Sequence, residues 1–519
     1  MCGILVAEKR SVQSMEGLKS LTKRGPDKSE MLGVKDKMFM FTRLSIMDLS
    51  DKGMQPFRKD DDVLVCNGEI YNYLDLERRI KYDSKSDSDC EVLLPLYQSV
   101  GTKMFSMLDA EFALVLYDSS QDKLIAGRDP LGIRPLFYGY TKEGFIVFGS
   151  EVKSIIDSVK KVIPFPPGYY YDGDFHKYAT HLDVEHYHQH DLEETFRNIR
   201  MKLTDGVVKR LSSDAKMGFL LSGGLDSSLV CSIAQSHLKE PIRTFSIGME
   251  DDAIDNKYAE EVSKFLGTEH TSVLIKKDDV ISSLEEVIHS LETFDITTIR
   301  ASMGMYLVSK YISEKTDIKV LLTGEVSDEL FGYKYTDFAP DAESFQSECV
   351  KRISELYMYD VLRADRSLAS NSLEARVPFG DLDFVDYVMR IDPKIKMNNY
   401  DMGKYLLRKS FEGSYLPESI LYRDKAAFSD AVGHSLVDYL KEYADEVYSD
   451  EVFIKKQREY NAVVPFTKEA LLYMELFQKY YPRHEHLVTG YWMPNKDWVG
   501  CDVSDPSARV LSNYGKSGE

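Results

Sequence analysis

The sequence predicts an α+β domain rich in strands, followed by an α/β domain with a parallel sheet and a helical C-terminal part. Three observations lead to this fold class. The chain has 519 residues, more than one hydrophobic core normally organises. Short apolar segments separated by glycine fill the chain up to about residue 180. From residue 195 onward, strand-like and helix-like segments alternate instead.

The expected strands of the first part are segments 3–6, 38–41, 63–66, 112–117, 123–127 and 145–148. A polar stretch of weak periodicity, 181–194, follows a Pro166-Pro167-Gly168 turn and marks a domain boundary. We therefore predict a first domain over residues 2–190 and a second over 195–500. The polar tail, 501–519, is expected to be loosely ordered.

The second part reads as repeated βα units. Its expected strands are 218–221, 244–248, 270–275 and 319–322, and helical spacing is found over 195–211, from Leu229 to Ala234 and over 257–266. Strands separated by helices of this length pair in parallel, so a parallel sheet covered by helices is predicted.

The amino-acid composition argues against several classes of function. A net charge of -20 without a basic stripe weighs against nucleic acid as a partner. No apolar run approaches the roughly 20 residues that a membrane span requires. Six scattered cysteines and a start without a secretory signal favour a reducing cytoplasmic location. We expect a soluble cytoplasmic protein that acts on small metabolites.

Cys2 is a candidate nucleophile. Removal of Met1 would give this residue a thiol and a free α-amine, and an amine with a pKa of roughly 8 can act as its own general base. Taken alone, a cysteine at this position is more often an inert apolar residue. The catalytic interpretation therefore depends on the residues that accompany it.

Those residues suit the hydrolysis of glutamine. Arg43 could bind an α-carboxylate in a two-pronged contact, and Glu69 and Asp89 could accept hydrogen bonds from an α-ammonium group. The Asn67 side chain and the Gly68 backbone N–H are donors of the type that stabilises a tetrahedral oxyanion. Separately, each could be a surface ion pair or a turn, but together they predict a glutaminase site.

A second candidate site is a phosphate-binding loop. The segment Leu221-Ser222-Gly223-Gly224-Leu225-Asp226-Ser227 follows a predicted strand and begins a helix. Backbone N–H groups at such a helix N-terminus bind phosphate oxygens, and Asp226 could hold Mg²⁺. No Gly-Lys-Ser/Thr ends the loop, so it is not a Walker A motif.

A second acidic loop follows another predicted strand. It begins at Thr323-Gly324-Glu325 and continues through Asp328. One carboxylate here could hold a metal ion and another could accept a proton. Solvated surface acids are the alternative interpretation of this loop.

Several motifs carry a family resemblance. Met1-Cys2-Gly3-Ile4, Arg24-Gly25-Pro26-Asp27, Arg43-Leu44-Ser45-Ile46, Asn67-Gly68-Glu69-Ile70-Tyr71-Asn72 and the segment 127–136 resemble class II glutamine amidotransferases. Together with the loop 220–228, which is similar to the ATP-pyrophosphatase signature, and with 291–300, 373–379 and 423–430, they make the chain resemble the glutamine-hydrolysing asparagine synthetase family.

The resemblance implies an N-terminal-nucleophile fold of αββα layers, with Leu44, Ser45, Ile46 and Met47 added to the glutamine-binding set. In the second domain it implies that Leu221, Ile247 and Gly324 line the adenosine and that Thr323 contacts ATP. It further implies that Asp226 and Asp328 ligate Mg²⁺, that Lys425 neutralises the α-phosphate and that Glu325 deprotonates ammonia.

The implied reaction uses glutamine, aspartate and ATP, and residues 128–135 would shape an ammonia exit between the domains. A homodimer is a further option for the assembly. Two alternatives stay open: a related amide-forming ligase with another acid substrate, and a non-catalytic homologue. The second is motivated by Val326 and by the single Gly332, where the family pattern has further glycines. Valine would be strained at position 326 if φ is positive there.

Overall fold

Two six-stranded antiparallel sheets lie face to face in the first part of the chain. The computed structural model describes residues 1–8, 12–250, 254–424, 432 and 434–515. In spatial order the first sheet consists of β10 (Ile163–Pro164), β8 (Phe137–Tyr140), β9 (Ile146–Gly149), β1 (Gly3–Ala7), β3 (Lys37–Arg43) and β2 (Lys28–Val34). The second sheet consists of β12 (Phe175–Lys177), β11 (Tyr169–Tyr171), β7 (Lys123–Arg128), β6 (Ala110–Asp118), β5 (Asp62–Ile70) and β4 (Phe57–Lys59).

Alternation along the strands divides the apolar side chains between layers. Ile4 and Val6 point between the two sheets, where they join Val63 and Val115 in one buried cluster. Leu5 belongs to a different cluster, on the outer face of the first sheet. Helices α1 (Val12–Ser20) and α4 (Val152–Ile155) cover that face, and α2 (Tyr73–Ile80) and α3 (Leu93–Val100) cover the second sheet. The predicted αββα layers are thus confirmed.

The second part contains a parallel five-stranded sheet. Its spatial order is β15 (Glu269–Ile275), β14 (Arg243–Met249), β13 (Met217–Leu220), β16 (Val320–Leu322) and β17 (Glu374–Arg376). Chain order reverses between β13 and β16, and a crevice for ligands forms at such a switch point beyond the carboxyl ends of the strands. The loops that follow β13 and β16 are the two predicted functional loops.

Helices surround this sheet and form the C-terminal part. They are α5 (Leu192–Lys209), α6 (Leu225–His237), α7 (Ile254–Leu266), α8 (Lys277–Leu291), α9 (Ile296–Lys315), α10 (Ser327–Phe331), α11 (Ala342–Glu355), α12 (Asp360–Ala369), α13 (Leu382–Met389), α14 (Pro393–Lys396), α15 (Tyr405–Ser410), α16 (Glu418–Leu421), α17 (His434–Val447), α18 (Asp450–Gln457) and α19 (Lys468–Tyr480). Short 3-10 helices cover Asp51–Gly53, Asp89–Val92, Gly101–Met107, Lys334–Phe338, Leu356–Met358, Pro378–Gly380, Glu485–Leu487 and Ala508–Val510. No helix within the described ranges is long and apolar enough to cross a membrane.

The C-terminal segment packs against the second part. Cys501, Ala508 and Leu511 are buried, and Asp505 forms an ion pair of 3.0 Å with Arg300 of α9. This packing differs from the loose order that its polar composition suggests, because the composition does not reveal the buried arginine that holds Asp505.

Buried ion pairs join the two parts of the chain. Arg24 contacts Asp365 at 2.7 Å, Arg210 contacts Glu111 at 2.8 Å, and Arg376 contacts Glu69 at 2.8 Å. Further pairs link Arg134 to Glu374 (3.8 Å) and Arg366 to Glu151 (3.5 Å). We refer to these five contacts as the interface ion pairs.

Candidate active sites

Cys2 lies at the start of β1, next to the middle of β5. Its backbone N–H donates to Asn67 Oδ1 at 3.0 Å, and its Sγ is 3.6 Å from the carbonyl oxygen of Leu44. The Asn67 side chain is buried, and its Nδ2 has no hydrogen-bond partner among the described residues. An unpaired amide N–H₂ beside a thiol is a donor available for an oxyanion.

The environment keeps the Cys2 thiol protonated. Burial raises its pKa to about 11, although the α-amino group of the chain and the Leu44 backbone act in the opposite direction. A thiol with this pKa is a poor nucleophile at neutral pH unless a nearby base removes its proton. The α-amine that Cys2 gains when Met1 is removed is such a base within the same residue.

Gly68 is required by packing. A Cβ atom at this position would lie 2.5 Å from the carbonyl oxygen of Glu111 and 2.8 Å from the Phe112 Cα, on the neighbouring strand β6. Because any side chain would separate β5 from β6, only glycine keeps the backbone beside Asn67 in place.

Arg43 organises the loop that follows β3. Its Nη1 donates to Ser50 O at 2.6 Å, and its Nη2 donates to the carbonyl oxygens of Met47 and Asp48. The predicted contact of Arg43 with an α-carboxylate stays a prediction.

The other members of the predicted loop set are held by their backbones. Ser45 N donates to Asp27 Oδ2 at 2.7 Å. The Ile46 carbonyl accepts from Asp214 N and Ala215 N of the second part. The loop that carries Leu44, Ser45, Ile46 and Met47 is therefore tied to both parts of the chain.

Glu69 lies on β5 and Asp89 at the start of the 3-10 helix Asp89–Val92, and both are buried. Asp89 Oδ2 accepts from Ile70 N at 2.6 Å, and burial raises the Asp89 pKa to about 6. Burial also raises the pKa of Glu69, against the opposing effect of Arg376, which contacts it at 2.8 Å. Two acids in this state suit an ammonium ligand, since a cation favours their ionised forms.

A cavity of about 230 Å³ lies at the carboxyl ends of β13 and β16. Most of the residues predicted to contact ATP or metal line it: Leu221, Ser222, Gly224, Asp226, Ser227, Ile247, Thr323, Gly324, Glu325 and Asp328. The cavity thus brings together predicted residues that come from separate loops of the sequence, and they form part of its lining.

Two glycines allow close packing around the loop that follows β13. Gly223 has a φ of +72°, and a Cβ there would lie 2.5 Å from Ala259 N. Gly324 would place a Cβ 3.0 Å from Ser227 N. Gly223 supports the loop from behind and does not line the cavity. The Ser222 and Ser227 hydroxyls are 3.0 Å apart at the start of α6, where a helix N-terminus favours anions.

Asp226 and Asp328 converge on one buried cation, the ammonium group of Lys404. Lys404 Nζ is 2.8 Å from both Asp226 oxygens and 2.6 Å from Asp328 Oδ1. The Ser327 hydroxyl donates to Asp226 Oδ1 at 2.7 Å. The two carboxylates predicted to share a metal ion are thus brought together, although they belong to different loops.

Glu325 and Val326 follow β16 directly. Glu325 Oε1 is 3.5 Å from Arg363 Nη2, and its buried Oε2 has no hydrogen-bond partner within the described part of the chain. Val326 has a φ of +81°, the left-handed conformation that we anticipated would strain valine. Gly332, with a φ of +97°, ends α10 after a single turn.

Some residues of the cavity were not assigned a role from the sequence. Lys404, Arg408 and Arg423 all line it. Arg423 Nη1 donates to Gly223 O at 3.2 Å, and its guanidinium lies 3.7 Å from the Tyr258 ring centre. Arg423 begins the segment 423–430, which contributes to the family resemblance, whereas Lys404 and Arg408 lie in none of the motifs that carry it. Lys425, predicted to neutralise the α-phosphate, lies outside the described residues.

Fold and sites together define a two-domain amidotransferase, in which a cysteine-based amide-hydrolysing domain is joined to a nucleotide-loop α/β domain. The glutamine amidotransferase domain profile matches residues 1–210, and the asparagine synthase profile matches residues 198–346 and 336–500. The chain belongs to the family of glutamine-hydrolysing asparagine synthetases.

Three relatives illustrate the match. A probable asparagine synthetase [glutamine-hydrolyzing] of Acanthamoeba polyphaga mimivirus is 40% identical, over 98% of this chain and 100% of the relative. The asparagine synthetases [glutamine-hydrolyzing] of Mus musculus and Homo sapiens are 39% and 38% identical, each over 99% of both chains. The similarity thus spans both domains.

Proposed function

We propose that this chain makes asparagine from aspartate, using ATP and nitrogen that Cys2 releases from glutamine. The observation that carries the proposal is the Asn67 side chain, whose Oδ1 accepts from Cys2 N while its buried Nδ2 has no partner among the described residues. A purely structural asparagine would use both ends of its amide.

In the first domain, the proposed cycle begins with the α-amine of Cys2 taking the thiol proton. The thiolate then attacks the glutamine amide carbon, and Asn67 Nδ2 and the Gly68 N–H donate to the oxyanion that forms. The α-ammonium group then gives its proton to the departing nitrogen, so that the C–N bond breaks and ammonia leaves, and water hydrolyses the thioester to glutamate. Arg43, Glu69 and Asp89 recognise the two charged ends of glutamine, with Leu44, Ser45, Ile46 and Met47 forming the adjoining wall.

In the second domain, the aspartate β-carboxylate attacks the α-phosphate of ATP, which gives β-aspartyl-AMP and pyrophosphate. Leu221 and Ile247 would hold the adenosine, and the Ser222–Ser227 loop at the start of α6 would bind the leaving pyrophosphate. Ammonia then displaces AMP to form asparagine, and Glu325 removes the extra proton. Glu325 Oε2, which has no hydrogen-bond partner within the described part of the chain, supports this role.

The acidic pair fits Mg²⁺. Asp226 and Asp328 already meet at one cation, and their oxygen atoms are the ligands that Mg²⁺ prefers. Within the described ranges, no group of three or more His, Cys, Asp or Glu side chains could hold a metal alone. Phosphate oxygens and water would therefore complete the shell. When bound, Mg²⁺ would neutralise charge on the phosphates.

The domain bounds 2–190 and 195–500 belong to the same proposal. Strand β12 ends at Lys177 and helix α5 begins at Leu192, so the division falls between the last strand of one layered unit and the first helix of the next. We further propose that ammonia passes between the domains near Arg134, whose Nη1 donates to Ala375 O of β17 at 2.9 Å.

An activity assay of the purified protein tests the proposal. The protein is incubated with aspartate, ATP and Mg²⁺ and with either glutamine or ammonia, and the pyrophosphate and asparagine that form are measured. Cys2→Ala should abolish glutamine-dependent synthesis and retain ammonia-dependent synthesis. A folded variant that loses both activities would contradict the division of labour. Pyrophosphate release that requires a different acid would favour the alternative ligase, and no release at all would favour a non-catalytic homologue.

A further inference from the structure

Lys404 is a buried lysine that contacts both carboxylates of the second site. Its Nζ lies 2.8 Å from each Asp226 oxygen, 2.6 Å from Asp328 Oδ1 and 2.9 Å from the Ser327 hydroxyl. Only about 3% of its side chain is exposed. The ammonium group therefore lies at the point where the two acids converge.

The backbone also holds Lys404 in an unusual conformation. Its φ of +58° places it in the left-handed region, immediately before α15. A lysine seldom adopts this conformation, and strained residues persist where the surrounding structure fixes them. The segment 402–404 thus directs the side chain from one end of α15 into the cavity.

A metal ion and this ammonium group exclude each other. Mg²⁺ binds carboxylate oxygens at about 2.0–2.1 Å, and the lysine occupies the space between the same oxygens. The lysine also cancels one of the two negative charges that would attract a divalent cation. A free metal ion would have to displace the lysine from its buried ion pairs and leave the ammonium group without a partner. A metal ion bound to a triphosphate brings phosphate oxygens with which the ammonium group can pair instead.

We propose that the Lys404 ammonium group occupies the Asp226–Asp328 site and prevents free divalent cations from binding there. Only a cation that is bound to a nucleoside triphosphate replaces it. On exchange, the ammonium group moves from the carboxylates to the phosphate oxygens. Lys404 is thereby a positioning residue that makes metal binding depend on the nucleotide. This inference rests on the proposed use of ATP by the same site.

Binding of Mn²⁺ to the full chain tests the inference without turnover. Electron paramagnetic resonance would follow titrations of MnCl₂ alone. Lys404→Asn removes the charge and keeps a residue that tolerates positive φ. We expect this variant to bind Mn²⁺ at least about tenfold more tightly than the wild type in the absence of nucleotide. The double variant K404N/D226N should lose that gain. Lys409→Asn is the matched control, since Lys409 lies on α15, the helix that follows Lys404, but pairs with Glu412.

A second comparison does not depend on how K404N folds. Without nucleotide, the wild type and Asp226→Asn should give the same Mn²⁺ titration; with a non-hydrolysable ATP analogue, only the wild type should gain a bound ion. Nucleotide-free binding that Asp226→Asn abolishes would overturn the inference, and so would a folded K404N without increased affinity. Neither result depends on whether asparagine is formed, so failure here is distinct from failure of the proposed function.

Discussion

Val326 combines a buried β-branched side chain with a φ of +81°, and substitution can separate these two effects. Alanine removes two methyl groups, about 1.6 kcal/mol at about 0.8 kcal/mol per buried carbon. Glycine removes one more carbon, and the greater conformational entropy that it gives the unfolded chain costs about 0.4–1 kcal/mol more. The glycine variant should therefore ordinarily be about 1.5 kcal/mol less stable than the alanine variant. At position 326, glycine also relieves about 1–2 kcal/mol of left-handed strain. We therefore expect V326G and V326A to be equally stable within about 0.5 kcal/mol.

Val377 provides the control, because it is also buried but has a φ of -118°. V377G should be about 1.5 kcal/mol less stable than V377A. Urea unfolding of all four variants can be followed by the fluorescence of Trp492 and Trp498, both in the second part of the chain. An equal difference between glycine and alanine at the two positions would refute the assignment of strain to Val326.

Three further predictions concern the two sites and their interface. Asn67→Ala should lower the kcat of glutamine hydrolysis by about 10²–10³, measured as glutamate release; an unchanged kcat would exclude Asn67 as an oxyanion donor. Glu325→Gln should slow asparagine synthesis from ammonia by about 10²–10⁴ while sparing glutamine hydrolysis, and full synthesis would remove its role as a base. At Glu374, burial is outweighed by Arg134 and Arg376, which lower its pKa to about 2. This depressed pKa stabilises the fold fully above pH 4.5, and the effect is lost as the pH falls towards 2. Glu374→Gln should thus cost roughly 3 kcal/mol at neutral pH and progressively less below pH 4.5, as urea unfolding at several pH values would show; a constant difference would contradict the ion pairing.

The sequence predicted the strands that have a clear apolar pattern. Segment 63–66, for example, lies within β5, and 244–248 lies within β14. It gave no indication of β2 (Lys28–Val34), because that edge strand is mostly exposed and its apolar and polar residues do not alternate. A strand with one buried face shows alternating apolar and polar residues, whereas an edge strand that faces solvent shows little of this alternation.

Sequence motifs predicted the candidate site residues that lie close together along the chain. The loop after β13 could be assigned to phosphate binding because strand, glycines and helix start are contiguous. Lys404 could not be connected to Asp226, since 178 positions separate them and only the fold brings them together. Likewise, Glu69 was expected to meet an ammonium group, and its contact with Arg376 of the other domain was not foreseen.

The interface ion pairs limit how such a chain can be recombined. Each half contributes both arginines and acids, as Arg24 with Asp365 and Arg210 with Glu111 illustrate. Removing one member of a buried pair typically costs about 3–5 kcal/mol, because the other charge is left without compensation. A chimera that joined the glutaminase domain of one homologue to the synthetase domain of another would have to keep both partners of each interface ion pair. Neither half of the chain can therefore be exchanged independently of the other.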